Sequence, residues 1–361
     1  MGEKQTWNWI EKLSNKTPTR YHFIFLILVF FISYLIYIFL ISKIDFASGW
    51  FEDYRNQIPV LAGFFWAAYL IAGVAYFTDA TRMSVEKIKA VPKHQERIDE
   101  LRDRLRKRFT KSKTYYVIIF LVIISDYLVS PIGKTDFWYF SEPTIWSILI
   151  DVFNIGTTLL ILYLMATILW INLNVSWTLD ELASDDYISF VKIDLFHSDT
   201  VGGLSPLKNL IRNLAIYQFV TVTLGILNWV TPGGTYYKDI IYFYILYIIN
   251  VYLFLKGQHC ISKILTNCRE YKINNINQIY EQLNQQSYDI IARGDFEKEL
   301  DLLDQISKSM NLLQFDRDKL QNASRSTYNF KDNFIFLTSS LLPFVTTYVL
   351  PYILPYIRSN G

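Results

Sequence analysis

The chain has 361 residues, 52% of them hydrophobic and 17% aromatic, with a mean hydropathy of +0.18. It is too apolar for an ordinary soluble enzyme and too charged to lie wholly in lipid. A formal net charge of +2 argues against a globally basic chain of the kind that binds nucleic acid. Two cysteines, Cys260 and Cys268, cannot build a disulfide framework; within one helix they stand roughly 12 Å apart along the axis, too far to bridge. Both read as reduced, cytoplasmic thiols.

The first apolar run, Tyr21 to Ile41, contains HFIFLILVFFISYLIYIFLI and is long enough to cross roughly 30 Å of hydrocarbon. The polar residues before it carry no small-residue cleavage pattern after the run, so a span is expected rather than a cleaved signal peptide. Val60 to Thr78 is the second span, and Gly63, Ala67, Ala68, Ala72, Gly73 and Ala75 give it small faces for close helix packing. Four more follow at Tyr115 to Ile132, Trp146 to Ile171, Asn213 to Val230 and Asp239 to Leu255. A last apolar segment, Phe334 to Ile357, carries Pro343, Pro351 and Pro355. Three prolines remove backbone donors and bend a helix, so this segment either spans with kinks or dips and returns, and its prolines are candidates for a gate.

Charge orients the spans. Arg82 to Lys113 holds twelve Lys or Arg against five Asp or Glu, whereas the loops Ser42 to Pro59, Gly133 to Ile145 and Thr231 to Lys238 are short and nearly neutral. By the positive-inside rule the long loops and the N-terminus are cytoplasmic, giving a multi-pass protein of the inner (plasma) membrane. The expected plan is all-α, with six to seven transmembrane helices and long cytoplasmic helical hairpins. Residues 1–20 form the cytoplasmic N-terminus, 21–78 transmembrane hairpin one, 79–114 a basic cytoplasmic hairpin and 115–171 transmembrane hairpin two. Residues 172–212 form a cytoplasmic loop, 213–255 transmembrane hairpin three, 256–332 a second cytoplasmic hairpin and 333–361 the proline-kinked membrane segment.

Periodicity supports both cytoplasmic hairpins. Ala80 to Ala90 can remain helical, Val91-Pro92 breaks the run, and His94 to Phe109 returns with Ile98, Leu101, Leu105 and Phe109 on one face. Lys256 to Ala292 repeats apolar residues at three and four. Gly294 supplies a stop, and Asp295 is placed to cap the returning helix. The basic side chains Arg102, Arg106, Arg108 and Lys111 lie just before the third span, where anionic lipid headgroups are their expected partners. Base-reading aromatic residues are missing there, so no nucleic acid is expected.

The most polar stretch in the middle of the chain is Asp194 to Leu207, DLFHSDTVGGLSPL. Asp194, His197 and Asp199 offer nitrogen and oxygen ligands for a metal or a proton relay. The alternative is a turn in which those side chains bond local backbone. Ser205 and Pro206 suit the N-cap and first position of the helix entering the fifth span, with Gly202-Gly203 as the tight turn before it. Gly202, Gly203 and Pro206 are then an elbow coupling cytoplasmic helices to spans. The H-S-D-x-x-G-G-L string resembles an H-P-D-x-x-G-G-L element of uncharacterised multi-pass membrane proteins of bacteria and archaea, with Ser198 in place of proline. The repeated Leu-Pro near the C-terminus is similar to the tails of such proteins. The resemblance implies no activity; a prokaryotic origin also suits the frequent Ile, Asn, Lys and Tyr.

Asp126 and Asp151 fall near the outer ends of the third and fourth spans, at matching depths on neighbouring helices. Paired intramembrane acids are candidates for an ion pathway; ending the spans earlier would instead leave them at the headgroups. Asn154, Asn172 and Asn250 read as interhelical hydrogen-bond partners. No phosphate-binding loop, dinucleotide fingerprint, zinc-protease or nucleophile-elbow motif occurs, so no cofactor is indicated. The leading expectation is an oligomeric, channel-like or transport-like protein whose cytoplasmic helices couple to the spans. The alternatives are a membrane-anchored sensor or scaffold and a metal-dependent enzyme at the membrane surface.

Overall fold

The computed structural model describes residues 28, 30–37, 39, 54–88, 95–129, 145–184, 203–229, 237–293, 299–322 and 330–345. Nearly all of these are helical, and no strand occurs among the described residues. The helices are α1 (30–37), α2 (Tyr54–Glu86), α3 (Gln95–Lys111), α4 (Lys113–Val129), α5 (Ile145–Leu182), α6 (Ser205–Trp229), α7 (Tyr237–Arg293), α8 (Leu300–Asn322) and α9 (Phe330–Phe344).

α6 is the axis of the bundle, packed against α2, α7 and α9. Its contacts fix the direction of each neighbour. Ser84 of α2 lies by Pro206, and Gly73 by Tyr217 further along α6, so the two helices run antiparallel. On α7, Gly257 faces Ile211 and Phe243 faces Gly225, which is antiparallel again. α9 then runs back along α7: Phe336 stacks on Phe254 at 3.8 Å between ring centroids, and Phe344 meets Tyr247 at 5.3 Å. α4 and α5 pair with Tyr115 bonded to Thr167 and Val122 beside Leu162. The long helices thus alternate in direction.

One continuous core joins the bundle. Leu70 and Val74 of α2, Leu164 and Leu179 of α5, and Leu214 and Phe219 of α6 are fully buried within it. The stripe read on α3 is there too: Ile98, Leu101 and Leu105 are buried, and Phe109 packs beside them. Two glycines permit the closest approaches. A Cβ on Gly73 would overlap the Tyr217 ring, and one on Gly225 the Phe243 ring. Tyr217 also stacks on Tyr69 and donates to the Tyr69 carbonyl at 2.7 Å.

Helix ends differ from the sequence reading where side chains intervene. α2 stops at Glu86 rather than continuing towards Ala90, because the Arg102 guanidinium donates to the Glu86 and Ile88 carbonyls at 2.9 and 3.0 Å. α5 continues past Ile171 to Leu182 through Asn174 and Thr178, whose side chains donate to the carbonyls of Trp170 and Asn174 at 2.8 Å. α6 starts one position earlier than a Ser205 cap implies. The Leu204 carbonyl accepts from the Lys208 backbone amide at 3.0 Å, and the Ser205 hydroxyl accepts from Asn209 Nδ2 at 3.3 Å. α7 contains no proline, and its 57 residues extend roughly 85 Å.

Two stretches among the described residues, Ile155–Leu182 and Ser205–Leu227, are long and apolar enough to cross a membrane; Lys113–Ile124 is apolar but shorter. The bundle also leaves apolar side chains uncovered at one end. Ile145, Leu149, Val152 and Leu159 line the open side of α5, Val117, Phe120 and Leu121 that of α4, and Ile245, Ile248 and Tyr252 that of α7. Each such side chain gains roughly 1.5–3 kcal/mol on leaving water. Ten of them exposed to water would forgo more than the net stability of a typical domain, about 5–15 kcal/mol. This surface therefore requires a cover.

Candidate functional site

Of the residues singled out in the sequence, Asp194, His197, Asp199, Gly202, Pro351 and Pro355 lie outside the described residues. Asp126 lies in α4 and Asp151 in α5, both helical as expected, while the side chains of both lie outside the description. Among the described residues no group of three or more His, Cys, Asp or Glu is arranged to hold a metal.

Of the three residues read as an elbow, Gly203 and Pro206 are described. Gly203 has φ +89°, a left-handed conformation that favours glycine, and Leu204 behind it is buried. The Pro206 carbonyl accepts from Ser84 Oγ at 3.3 Å, tying the start of α6 to the end of α2. Pro343 lies inside α9, buried, and a π-type turn follows at Val345.

Two of the basic side chains assigned to headgroups bind protein groups. Arg102 pairs with Asp99 at 2.6 Å while it closes the end of α2, and Arg108 pairs with Glu181 at the end of α5. Arg106 is half-buried in α3, and the Lys111 side chain lies outside the description. Beside them is a network that sequence reasoning missed. Asp180 on α5 accepts from Lys256 Nζ at 2.5 Å and from the Cys260 thiol at 3.0 Å, both on α7. The hydrogen bond to Asp180 raises the Lys256 pKa. Burial, then the Asp180 contact, pushes the Cys260 thiol up to about 12, and burial pushes Cys268 up to about 11. Neither cysteine is in a disulfide, and both thiols are buried with raised pKa values, which suits a structural role rather than nucleophilic chemistry.

Further along the bundle a neutral polar layer crosses three helices. Asn172 Nδ2 of α5 donates to Gln218 Oε1 of α6 at 3.0 Å, and Asn250 Nδ2 of α7 donates to the Ala215 carbonyl of α6 at 3.1 Å. Asn172 and Asn250 thus make the interhelical bonds expected of them. Thr221 Oγ1 donates to the Tyr217 carbonyl at 3.0 Å, leaving its oxygen able to accept. Asn250 is only 2% exposed, and its Oδ1 has no hydrogen-bond partner.

Gln218, Thr221 and Asn250 line a cavity of about 40 Å³ that is open on one side. Aliphatic walls complete it: Val122 from α4, Met165, Ile168 and Leu169 from α5, Val222 from α6, and Leu246 from α7. Among the described residues the lining holds no ionisable side chain, so the chemistry they offer is hydrogen bonding by neutral groups beside hydrocarbon. Polar residues at this level carry a sequence signal, being rare polar letters inside apolar runs; it marks Asn172 and Asn250 and applies equally to Gln218 and Thr221.

Comparison with protein families, characterised proteins and solved structures finds no match.

Proposed function

We propose that the chain is a multi-pass membrane protein of channel-like or transport-like function, with six or seven spans and its basic hairpins and N-terminus in the cytoplasm. The observation that carries this reading is the combination of an uncovered apolar surface on α4, α5 and α7 with a neutral polar layer inside the same bundle. Lipid is the natural cover for the first, and a path or site for a solute is the natural use of the second. The alternation in helix direction supports repeated crossings, and Asp126 and Asp151 remain the candidate ion-pathway acids at the opposite end of α4 and α5 from Asp180.

Reconstitution into liposomes tests it. The native protein is expected to pass a small cation or an uncharged solute above the protein-free rate, and Asp126→Asn with Asp151→Asn to reduce cation flux at least fivefold. Absence of flux for every solute tried, or flux unchanged in the double variant, overturns the transport reading or the role of the acids respectively.

One observation favours a second reading, a membrane-tethered scaffold. Beyond the core, α7 and α8 expose Tyr271, Ile279, Tyr288, Leu312 and Phe315, an apolar surface that their pairing leaves unused. A second copy of the chain or another helical protein would cover it.

A further inference from the structure

We infer that the cavity between α4, α5, α6 and α7 binds a small, uncharged amphiphile carrying a hydroxyl or primary amide. Its polar end would lie against Gln218, Thr221 and Asn250, and its hydrocarbon against Val122, Met165 and Leu246. The inference takes from the proposed function only that this cavity lies within the bilayer, and it holds whether or not anything moves through the protein.

The chemistry of the lining selects the class. Asn250 is one of the lining residues and its Oδ1 is buried without a partner, so a donor reaching it would complete its hydrogen bonding. Thr221 Oγ1 has spent its proton on the Tyr217 carbonyl and can only accept. Gln218 Oε1 is taken by Asn172, which leaves the Gln218 amide nitrogen as the donor at the wall. Two acceptors and one donor within two turns of α6 and one of α7 match a group that both gives and takes hydrogen bonds, as a hydroxyl or amide does.

Two other occupants fit less well. A charged ligand would be stripped of water with no ionised side chain among the described lining residues to compensate it. A bare acyl chain would leave Asn250 Oδ1 as unsatisfied as before. Six of the nine described lining residues are apolar, so the complementary molecule also carries hydrocarbon.

The test uses the full chain in phosphatidylcholine nanodiscs with a diazirine analogue of 1-hexanol, irradiated and mapped by peptide mass spectrometry. Adducts are expected on the cavity-lining segments 118–124, 161–169, 218–222 and 246–250. Excess 1-hexanol should lower them at least fivefold, and n-hexane and hexanoate should not. Asn250→Leu is expected to lower labelling about tenfold. Val222→Phe fills the cavity from its aliphatic wall, keeps every polar group, and should do the same, so the test survives if one variant fails to fold.

Adducts spread evenly over outward side chains such as Phe120 and Ile248 would overturn the site, as would competition by hexane equal to that by hexanol. So would labelling that survives both substitutions, or no labelling at all, which would assign the cavity to water. Competed labelling without any flux in liposomes would keep this site and remove the transport reading. Flux without labelling would do the reverse.

Discussion

Gly73 and Gly156 are both helical glycines, and they should respond oppositely to the same substitution. A methyl at Gly73 meets the Tyr217 ring, which is held by its stack on Tyr69 and its bond to the Tyr69 carbonyl. Gly73→Ala is therefore expected to destabilise by about 1–3 kcal/mol through overpacking. At Gly156 nothing lies within 4 Å of the added carbon, so alanine there should stabilise by about 0.5–1 kcal/mol through backbone entropy alone. Thermal unfolding in one detergent checks both signs. The Asp180 network makes a second prediction. A raised thiol or ammonium pKa means the folded state holds its proton more tightly than the unfolded chain. The associated stability is complete below the unfolded value and is lost as pH rises through the folded one. For Cys260 that window runs from the ordinary thiol value of about 8.5 to about 12; Lys256 contributes with the same sign. The melting temperature should fall from pH 8 upward, and Cys260 should resist alkylation at pH 8. Asp180→Asn should speed that alkylation while burial keeps it slow. A rate equal to that of an exposed thiol in the native protein would contradict the buried, bonded thiol.

At the scale of elements, helices were legible in the sequence because periodicity and run length are local properties. The reading of α3 and of the long α7 rested on apolar residues recurring along one face; the α3 stripe is buried, and that of α7 is buried at Ile261, Ile264 and Cys268 while Ile279 lies exposed. What was not legible came from pairings across the chain. The stop of α2 depends on Arg102, which belongs to the next helix. The extension of α5 past Ile171 runs through Asn172, Asn174, Ser176 and Thr178, polar letters that hydropathy reads as a loop. They are buried inside the bundle, where Asn174 and Thr178 satisfy their donors on carbonyls of their own helix and Asn172 on Gln218 of α6. The candidate site divides the same way. Asn172 and Asn250 stood out as polar residues in apolar runs, whereas the cavity needs Gln218 and Thr221 as well, and only the crossing of four helices brings them together. Asp180 with Lys256 and Cys260 was invisible for the same reason, since the partners lie far apart in sequence.

The whole molecule presents two unlike surfaces, an apolar one on α4, α5 and α7 and a mixed one on the α7–α8 hairpin. If a second copy covers the hairpin, Leu312→Ser with Phe315→Ser should halve the mass of the detergent-solubilised particle or more, measured by light scattering, and leave the monomer's melting temperature unchanged. An unaltered mass would exclude self-association through this face. Geometry adds one consequence for such an assembly. α7 is a single unbroken rod that carries Asn250 in the bundle and Arg293 at the far end of the hairpin, about 65 Å away along its axis. Pivoting the rod by about 5° around Asn250 sweeps its tip through about 6 Å, so α7 is a lever with its short arm at the cavity. A binding event at the hairpin tip would reach the cavity with its displacement divided and its force multiplied.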